Sequence, residues 1–264
     1  MLTKPHEMIA PFYAQRTLFY LPTGQRRHLH LTLLSLIYCQ LAGENIMGLK
    51  VTIVPVTPFE QNCSLIWDEE TKLGALVDPG GDIDRLEQAM AETGVKLEKI
   101  LLTHGHLDHA SAAGELATKY GVKIEGPHED DLFLIEELPK QSAQYGFPVF
   151  DDFRPDRWLN DEDTVTVGGH ELRVRHCPGH TPGHVIFYNQ DHKIAIVGDV
   201  LFQGSIGRTD FPRGNHQQLI DSIRDRLFVL GDDIAFVPGH GPMSSFEHER
   251  RTNPYVSDEV LGIA

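Results

Sequence analysis

The densest chemistry in this chain sits in one six-residue stretch. His104, His106, Asp108 and His109 lie within the run Thr103-His104-Gly105-His106-Leu107-Asp108-His109. Three imidazoles and a carboxylate at this density, separated by small or apolar residues, form a nucleus for two divalent ions. Two ions need more than four ligands. Three later positions supply them, each just past a hydrophobic run and beside a glycine. They are His180 in Cys177-Pro178-Gly179-His180-Thr181-Pro182-Gly183-His184, Asp199 in Val197-Gly198-Asp199, and His240 in Phe236-Val237-Pro238-Gly239-His240-Gly241-Pro242. Two ions about 3.5–4 Å apart share a water and lower its pKa toward about 7, which gives hydroxide at neutral pH. That nucleophile attacks a carbonyl whose developing oxyanion is held by positive charge. A leaving group released as an anion, such as a thiolate, suits this chemistry. Asp108 serves as ligand and as orienter of the nucleophile, and neither serine nor cysteine is needed to attack.

Such a site needs rigid elements beneath it. Residues 51–56, 63–67 and 74–77 read as strands, closing on the turn Asp78-Pro79-Gly80-Gly81, after which Asp82 is expected to cap a helix over 83–90. The apolar run 100–102 is a short buried strand ending at the histidines, and 108–120 is predicted as one helix stopped by Gly121. A helix is predicted over 130–138, and the Pro-, Asp- and Phe-rich stretch 139–160 as a surface loop over the site. Strand signals return at 164–167 and 172–175 around Gly168-Gly169, then at 185–188 and 194–197 around 189–191. Helices over 216–227 and 244–251 and a buried strand over 234–237 complete the pattern. Two blocks of hairpin-linked strands, each followed by helices, imply two mixed sheets packed together with helices outside, not one doubly wound sheet.

Composition narrows the function classes. The chain has 264 residues, 41% of them hydrophobic, and carries a net charge of −15 from 23 basic and 38 acidic residues. That field repels nucleic acid and anionic membrane surfaces. The phosphate-binding patterns G-x-G-x-x-G and G-x-x-x-x-G-K-[ST] are absent. Cys39, Cys63 and Cys177 form neither a C-x-x-C motif nor a disulfide framework, consistent with a reducing, cytoplasmic setting, and Cys177 reads as a packed, unreactive thiol. The run from Leu31 to Ala42 is too short to span a bilayer. Residues 1–46 carry four basic and two acidic side chains and read as an extension preceding a single working domain over 47–264. Of the other histidines, His128, His170, His192 and His248 read as surface residues, while His176, His184 and His216 lie nearer the motifs.

The motifs T-H-x-H-x-D-H, P-G-H-T, G-D and a final G-H, in this order over about residues 50–250, resemble the metallo-β-lactamase superfamily. The resemblance implies an α+β fold, an αβ/βα four-layer sandwich with metals at one edge. It also implies a ligand set: His104, His106 and His180 for one ion, Asp108, His109 and His240 for the other, and Asp199 between them. Within the superfamily the chain looks most like the hydroxyacylglutathione hydrolases (glyoxalase II enzymes), particularly the short bacterial YcbL-type members. The likeness rests on Gln61-Asn62-Cys63-Ser64, Val77-Asp78-Pro79-Gly80-Gly81 and Gly207-Arg208-Thr209-Asp210-Phe211-Pro212-Arg213-Gly214. It implies hydrolysis of S-D-lactoylglutathione to D-lactate and glutathione in methylglyoxal detoxification, with Arg208 meeting a glutathione carboxylate. Zinc is the expected metal, with iron or manganese acceptable to the same ligands. Only 24 residues follow His240, so the helical glutathione-binding domain of full-length glyoxalase II is not expected, and Gly241-Pro242 stands where those enzymes carry an aromatic. An iron-dependent persulfide dioxygenase, which shares the G-R-T-D-F run, and a metal-dependent lactonase are the alternatives.

Overall fold

The structure, a computed structural model, describes residues 48–148 and 153–263, so the proposed extension lies outside the described residues. Strands β1 (Leu49–Val56), β2 (Gln61–Asp68), β3 (Leu73–Val77), β4 (Lys96–Leu101) and β5 (Lys123–Glu125) form a sheet in that order. Its first three strands are antiparallel neighbours, and β3, β4 and β5 run parallel. The second sheet contains β6 (Thr164–Val167), β7 (His170–His176), β8 (Val185–Asn189), β9 (Ile194–Gly198), β12 (Ala235–Pro238) and β13 (Ser244–Ser245). Its order is β13-β12-β9-β8-β7-β6, with only β9 and β12 parallel. The small hairpin β10 (Leu201–Phe202) and β11 (Ser205–Ile206) stands apart.

Alternation along the strands explains the layering, because successive side chains point to opposite faces. On β2, Cys63, Leu65 and Trp67 belong to the core shared with helices α1 (Ile83–Thr93), α2 (Leu107–Ala110), α3 (Ala113–Tyr120) and α4 (Leu132–Tyr145), whereas Ile66 faces the other sheet. On β8, Val185 and Phe187 face the first sheet. Ile186 and Tyr188 pack with Leu219 of α5 (His216–Ser222) and Phe246 of α6 (Phe246–Thr252). Strands covered on both faces bury every residue, as β2 and β8 do. The result is helix, sheet, sheet, helix, as the sequence implied.

Several local expectations are corrected. The helix expected over 130–138 runs instead as α4 to Tyr145 with Pro139 inside it, so 139–145 of the predicted loop over 139–160 is helical, and residues 149–152 of it lie outside the described residues. Proline in a helix costs about 3 kcal/mol. Leu134, Ile135 and Leu138 are buried along one face, at roughly 1.5–3 kcal/mol each, and outweigh it. The single helix over 108–120 is two helices, α2 and α3, with Gly121 as the expected left-handed stop. Asp82 does not cap α1: it adopts a left-handed backbone and its carboxylate accepts the Thr57 N–H at 2.8 Å. The predicted helix over 216–227 is α-helical only to Ser222 and continues as a π-turn.

Cys63 and Cys177 are fully buried, and burial raises both thiol pKa values, reinforced at Cys63 by Asp78. A thiolate is the reactive form. Native protein treated with iodoacetamide at pH 8 is therefore expected to stay unmodified at both positions, with alkylation appearing only after unfolding. Peptide mapping that found Cys177 labelled in the native protein would contradict this packing.

Candidate metal centre

The parallel pairs place the site. Because β3 runs parallel to β4, and β9 to β12, the carboxyl ends of each pair finish side by side, and the residues just beyond them converge. The β4 end leads into Thr103 to His106, the β3 end into Asp78, the β9 end into Asp199 and the β12 end into His240. The sheets are tied together here: the Val185 N–H donates to Thr103 O at 2.8 Å, and Asn62 donates to Gly239 O, Pro238 O and Gly241 O. Gly239 is sterically required, since a Cβ there would fall on the Asp199 carboxylate.

The structure brings together all seven predicted ligands. One ligand atom each from His104, His106 and His180 lie within 4.8 Å of one another, and so do those of Asp108, His109 and His240. Asp199 stands between the two groups. Its Oδ1 is 3.4 Å from His109 Nε2, and its Oδ2 is 3.5 Å from His180 Nε2 and 3.7 Å from His240 Nε2. Asp108 Oδ2 lies 3.2 Å from His240 Nε2. His106 Nδ1 and His180 Nε2 approach to 2.9 Å.

Outer partners aim the rings. His109 Nδ1 donates to Asp78 Oδ2 at 2.9 Å, His180 Nδ1 to Arg208 O at 2.7 Å and His240 Nδ1 to Phe59 O at 3.2 Å, which leaves each Nε2 turned into the centre. His104 Nδ1 lies 3.0 Å from the Thr103 hydroxyl. Asp78 also clusters with His104 and His109, but its oxygens already accept the Thr103 N–H at 2.7 Å and hydroxyl at 2.6 Å, so it orients the ligands and is not one of them.

The donor set fits cations. His104 Nε2, His109 Nε2 and Asp199 Oδ1 are buried with no hydrogen-bond partner, a costly arrangement unless something positive sits among them. Burial and the neighbouring imidazoles hold His104 and His106 well below the ordinary histidine range, and burial lowers His180 against the pull of Asp199. Neutral imidazole is the ligating form. Around His109, burial is overcome by Asp199, Asp108 and Asp78, which lift its pKa to about 9. At Asp108 burial opposes ionisation, but His109 and His240 hold the carboxyl below its usual range. The carboxylates thus make a local demand for positive charge.

Other predicted residues fall around this core. Arg208 is exposed, donates from Nε and Nη2 to Asp210 at 2.7 and 2.6 Å, and lies 4.2 Å over the Phe211 ring. Phe211 in turn packs 4.8 Å from His106. His184 is fully buried: its ring stacks on His104 at 4.6 Å, and its Nε2 accepts the Asp199 N–H at 3.0 Å. His176 donates to Pro182 O, and His216 is exposed. Of the four histidines read as surface residues only His248 is exposed; His128 stacks on His176, His170 pairs with Asp68, and His192 is partly covered. Sequence reasoning missed Asp78, which read as a turn residue. The signal was a carboxylate at the end of a buried strand, the same placement that marked Asp199.

Comparisons with known proteins agree with this geometry. The profile of the metallo-beta-lactamase superfamily matches residues 56–240. Hydroxyacylglutathione hydrolase GloC of Haemophilus influenzae is 49% identical over 212 residues, covering 80% of this chain and all of that protein. The mitochondrial persulfide dioxygenase ETHE1 of Homo sapiens is 31% identical over 195 residues, covering 72% of this chain and 69% of that protein. Among solved structures, the BLEG-1 B3 metallo-beta-lactamase aligns with a TM-score of 0.73 at 31% identity, covering 78% of this chain and 99% of that one. A di-iron-bound form of TTHA1623 aligns with a TM-score of 0.69 at 32% identity, covering 77% and 99%.

Proposed function

The chain belongs to the metallo-beta-lactamase superfamily and is a hydroxyacylglutathione hydrolase-like enzyme, and from that premise we propose that it hydrolyses a glutathione thiolester, S-D-lactoylglutathione, to D-lactate and glutathione. The observation that carries the reading is the placement of Asp199 between two three-residue ligand groups. His104, His106 and His180 would hold one divalent ion, Asp108, His109 and His240 the other, with Asp199 shared and zinc the expected metal. When bound, such a pair supplies hydroxide at neutral pH and polarises a carbonyl.

The chain's own residues do the positioning. Asp108, braced by His240, takes a hydrogen bond from the attacking water. The water oxygen bonds to the thiolester carbonyl carbon as one water proton passes by way of Asp108 to solvent, the carbon–sulfur bond breaks, sulfur leaves as the glutathione thiolate, and the acid product releases the second proton to solvent. Phe211, against His106, forms an apolar wall beside the reacting carbonyl. Arg208 receives a glutathione carboxylate. Its present partner Asp210 is exposed, and an exposed pair is worth at most about 1 kcal/mol, so a substrate carboxylate can share or replace it. The acidic chain repels a small anionic thiolester, so in a cytoplasmic setting it needs such a basic residue to hold one. No helix among the described residues is long and apolar enough to cross a membrane.

The test is thiolester cleavage by metal-analysed protein, with oxygen uptake on glutathione persulfide as the contrast. Hydrolysis of S-D-lactoylglutathione without oxygen uptake is expected; oxygen uptake without hydrolysis would replace this reading with the dioxygenase one. In Arg208→Ala, KM for the glutathione thiolester is expected to rise about tenfold, the worth of one charge-assisted contact, with little change for an uncharged thiolester. The backbone carbonyl that holds His180 survives this substitution, so equal losses on both substrates would remove Arg208 from substrate recognition.

A further inference from the structure

Two buried carboxylates lie beneath the candidate centre. Asp78 serves His109 and Thr103. The other, Asp131, precedes α4 and is fully buried. Its Oδ2 accepts the Gly105 N–H at 3.0 Å and the Thr181 hydroxyl at 2.8 Å, and its Oδ1 accepts the Gly183 N–H at 2.6 Å. Gly105 lies between His104 and His106, and Thr181 directly follows His180. One carboxylate thus joins the two loops that carry His104, His106 and His180, loops more than seventy residues apart in sequence. None of its bonds goes to the β12 loop of His240, and Asp108 and His109 lie beyond Gly105 on α2.

The contacts are too close to be incidental. A Cβ on Gly183 would meet the Asp131 carboxylate at 2.7 Å, and one on Gly105 would meet Leu134 at 2.9 Å and the Asp131 carbonyl at 3.2 Å. The glycines therefore let both loops close onto the start of α4. A buried carboxylate is costly unless its oxygens are bonded, and here every bond goes to a ligand-bearing loop.

We propose that Asp131 is a positioning residue that sets the metal affinity of the His104/His106/His180 group, separately from the Asp108/His109/His240 group, by joining the two loops that carry its ligands. The proposal rests on the two-group reading given above. Asparagine in place of Asp131 keeps the shape but offers one accepting oxygen. With that oxygen toward Gly105 and Thr181, the amide –NH2 faces the Gly183 N–H, donor against donor. An orienting partner of this kind is worth about 10–100-fold in metal affinity.

The test is zinc titration of full-length protein against a chromophoric chelator at pH 7.5. His180→Ala and His240→Ala serve as references that show which binding step belongs to which group. In Asp131→Asn, the step lost in His180→Ala is expected to weaken about 10–100-fold, and the step lost in His240→Ala to move less than about twofold. Thr181→Val removes one donor and is expected to weaken the same step by less. Adding it to Asp131→Asn should change little more, because both act through one network. Thermal unfolding of the chelated variants separates this from general destabilisation. A lower melting temperature with both affinities unchanged, or with both falling equally, overturns the proposal. Wild-type protein that binds fewer than two ions overturns the two-group reading itself, and the proposal with it.

Discussion

Replacing Asp199 with alanine is expected to reduce thiolester hydrolysis at least about a thousandfold, roughly 4 kcal/mol of transition-state stabilisation. The size follows from its position. Its two oxygens lie 3.4–3.7 Å from ring nitrogens of both ligand groups, and Oδ1 is a buried acceptor with no other partner. A methyl group removes the one negative charge the groups share, so bound metal should fall from two ions per chain toward one. The backbone should hold its place, because the Asp199 N–H still donates to His184 Nε2. Metal analysis and kcat/KM on the same preparation check both parts. Wild-type turnover in Asp199→Ala would end the shared-carboxylate mechanism.

Asp78→Ala is expected to act through a different route, costing stability as well as metal. Asp78 is 2% exposed, and its carboxylate accepts three hydrogen bonds, from the Thr103 N–H, the Thr103 hydroxyl and His109 Nδ1. Truncation leaves two buried N–H groups without acceptors, at about 1–3 kcal/mol each, so stability should fall by about 3–5 kcal/mol. His109 also loses the partner that turns its Nε2 inward, and affinity of the Asp108/His109/His240 group should drop about 10–100-fold. Asp78→Asn restores one accepting oxygen and should recover part of both losses. Denaturant unfolding and zinc competition measure the two effects independently. Unchanged stability in Asp78→Ala would mean that water replaces the carboxylate, contrary to the burial of Asp78.

All seven candidate ligands could be picked out in the sequence, and the reason is local, whereas Arg208 entered only through the resemblance of its Gly207-Arg208-Thr209-Asp210-Phe211 run. His104 to His109 are neighbours in the chain, and each remaining ligand sits one to four residues past a strand, beside glycine. The two blocks of hairpin-linked strands likewise made the two-sheet architecture readable, since hairpin turns such as Gly168-Gly169 are local signals. Helix α4 was misjudged because a proline dominates a local reading, whereas the helix is sustained by side chains buried against another layer.

The tertiary structure alone decided what holds those ligands in place. Asp78 reaches His109 across 31 positions because β3 runs parallel to β4, and their shared register sets the two loops side by side. Asp131 reaches Thr181 across 50 positions because α4 begins under two loops from different sheets. His184, on the wall between His104 and Asp199, owes its partners to the same convergence. A ligand's identity is chemical and can be written in a few adjacent residues. The partner that aims it is set by which strand ends meet in space, and that depends on the packing of the whole sandwich.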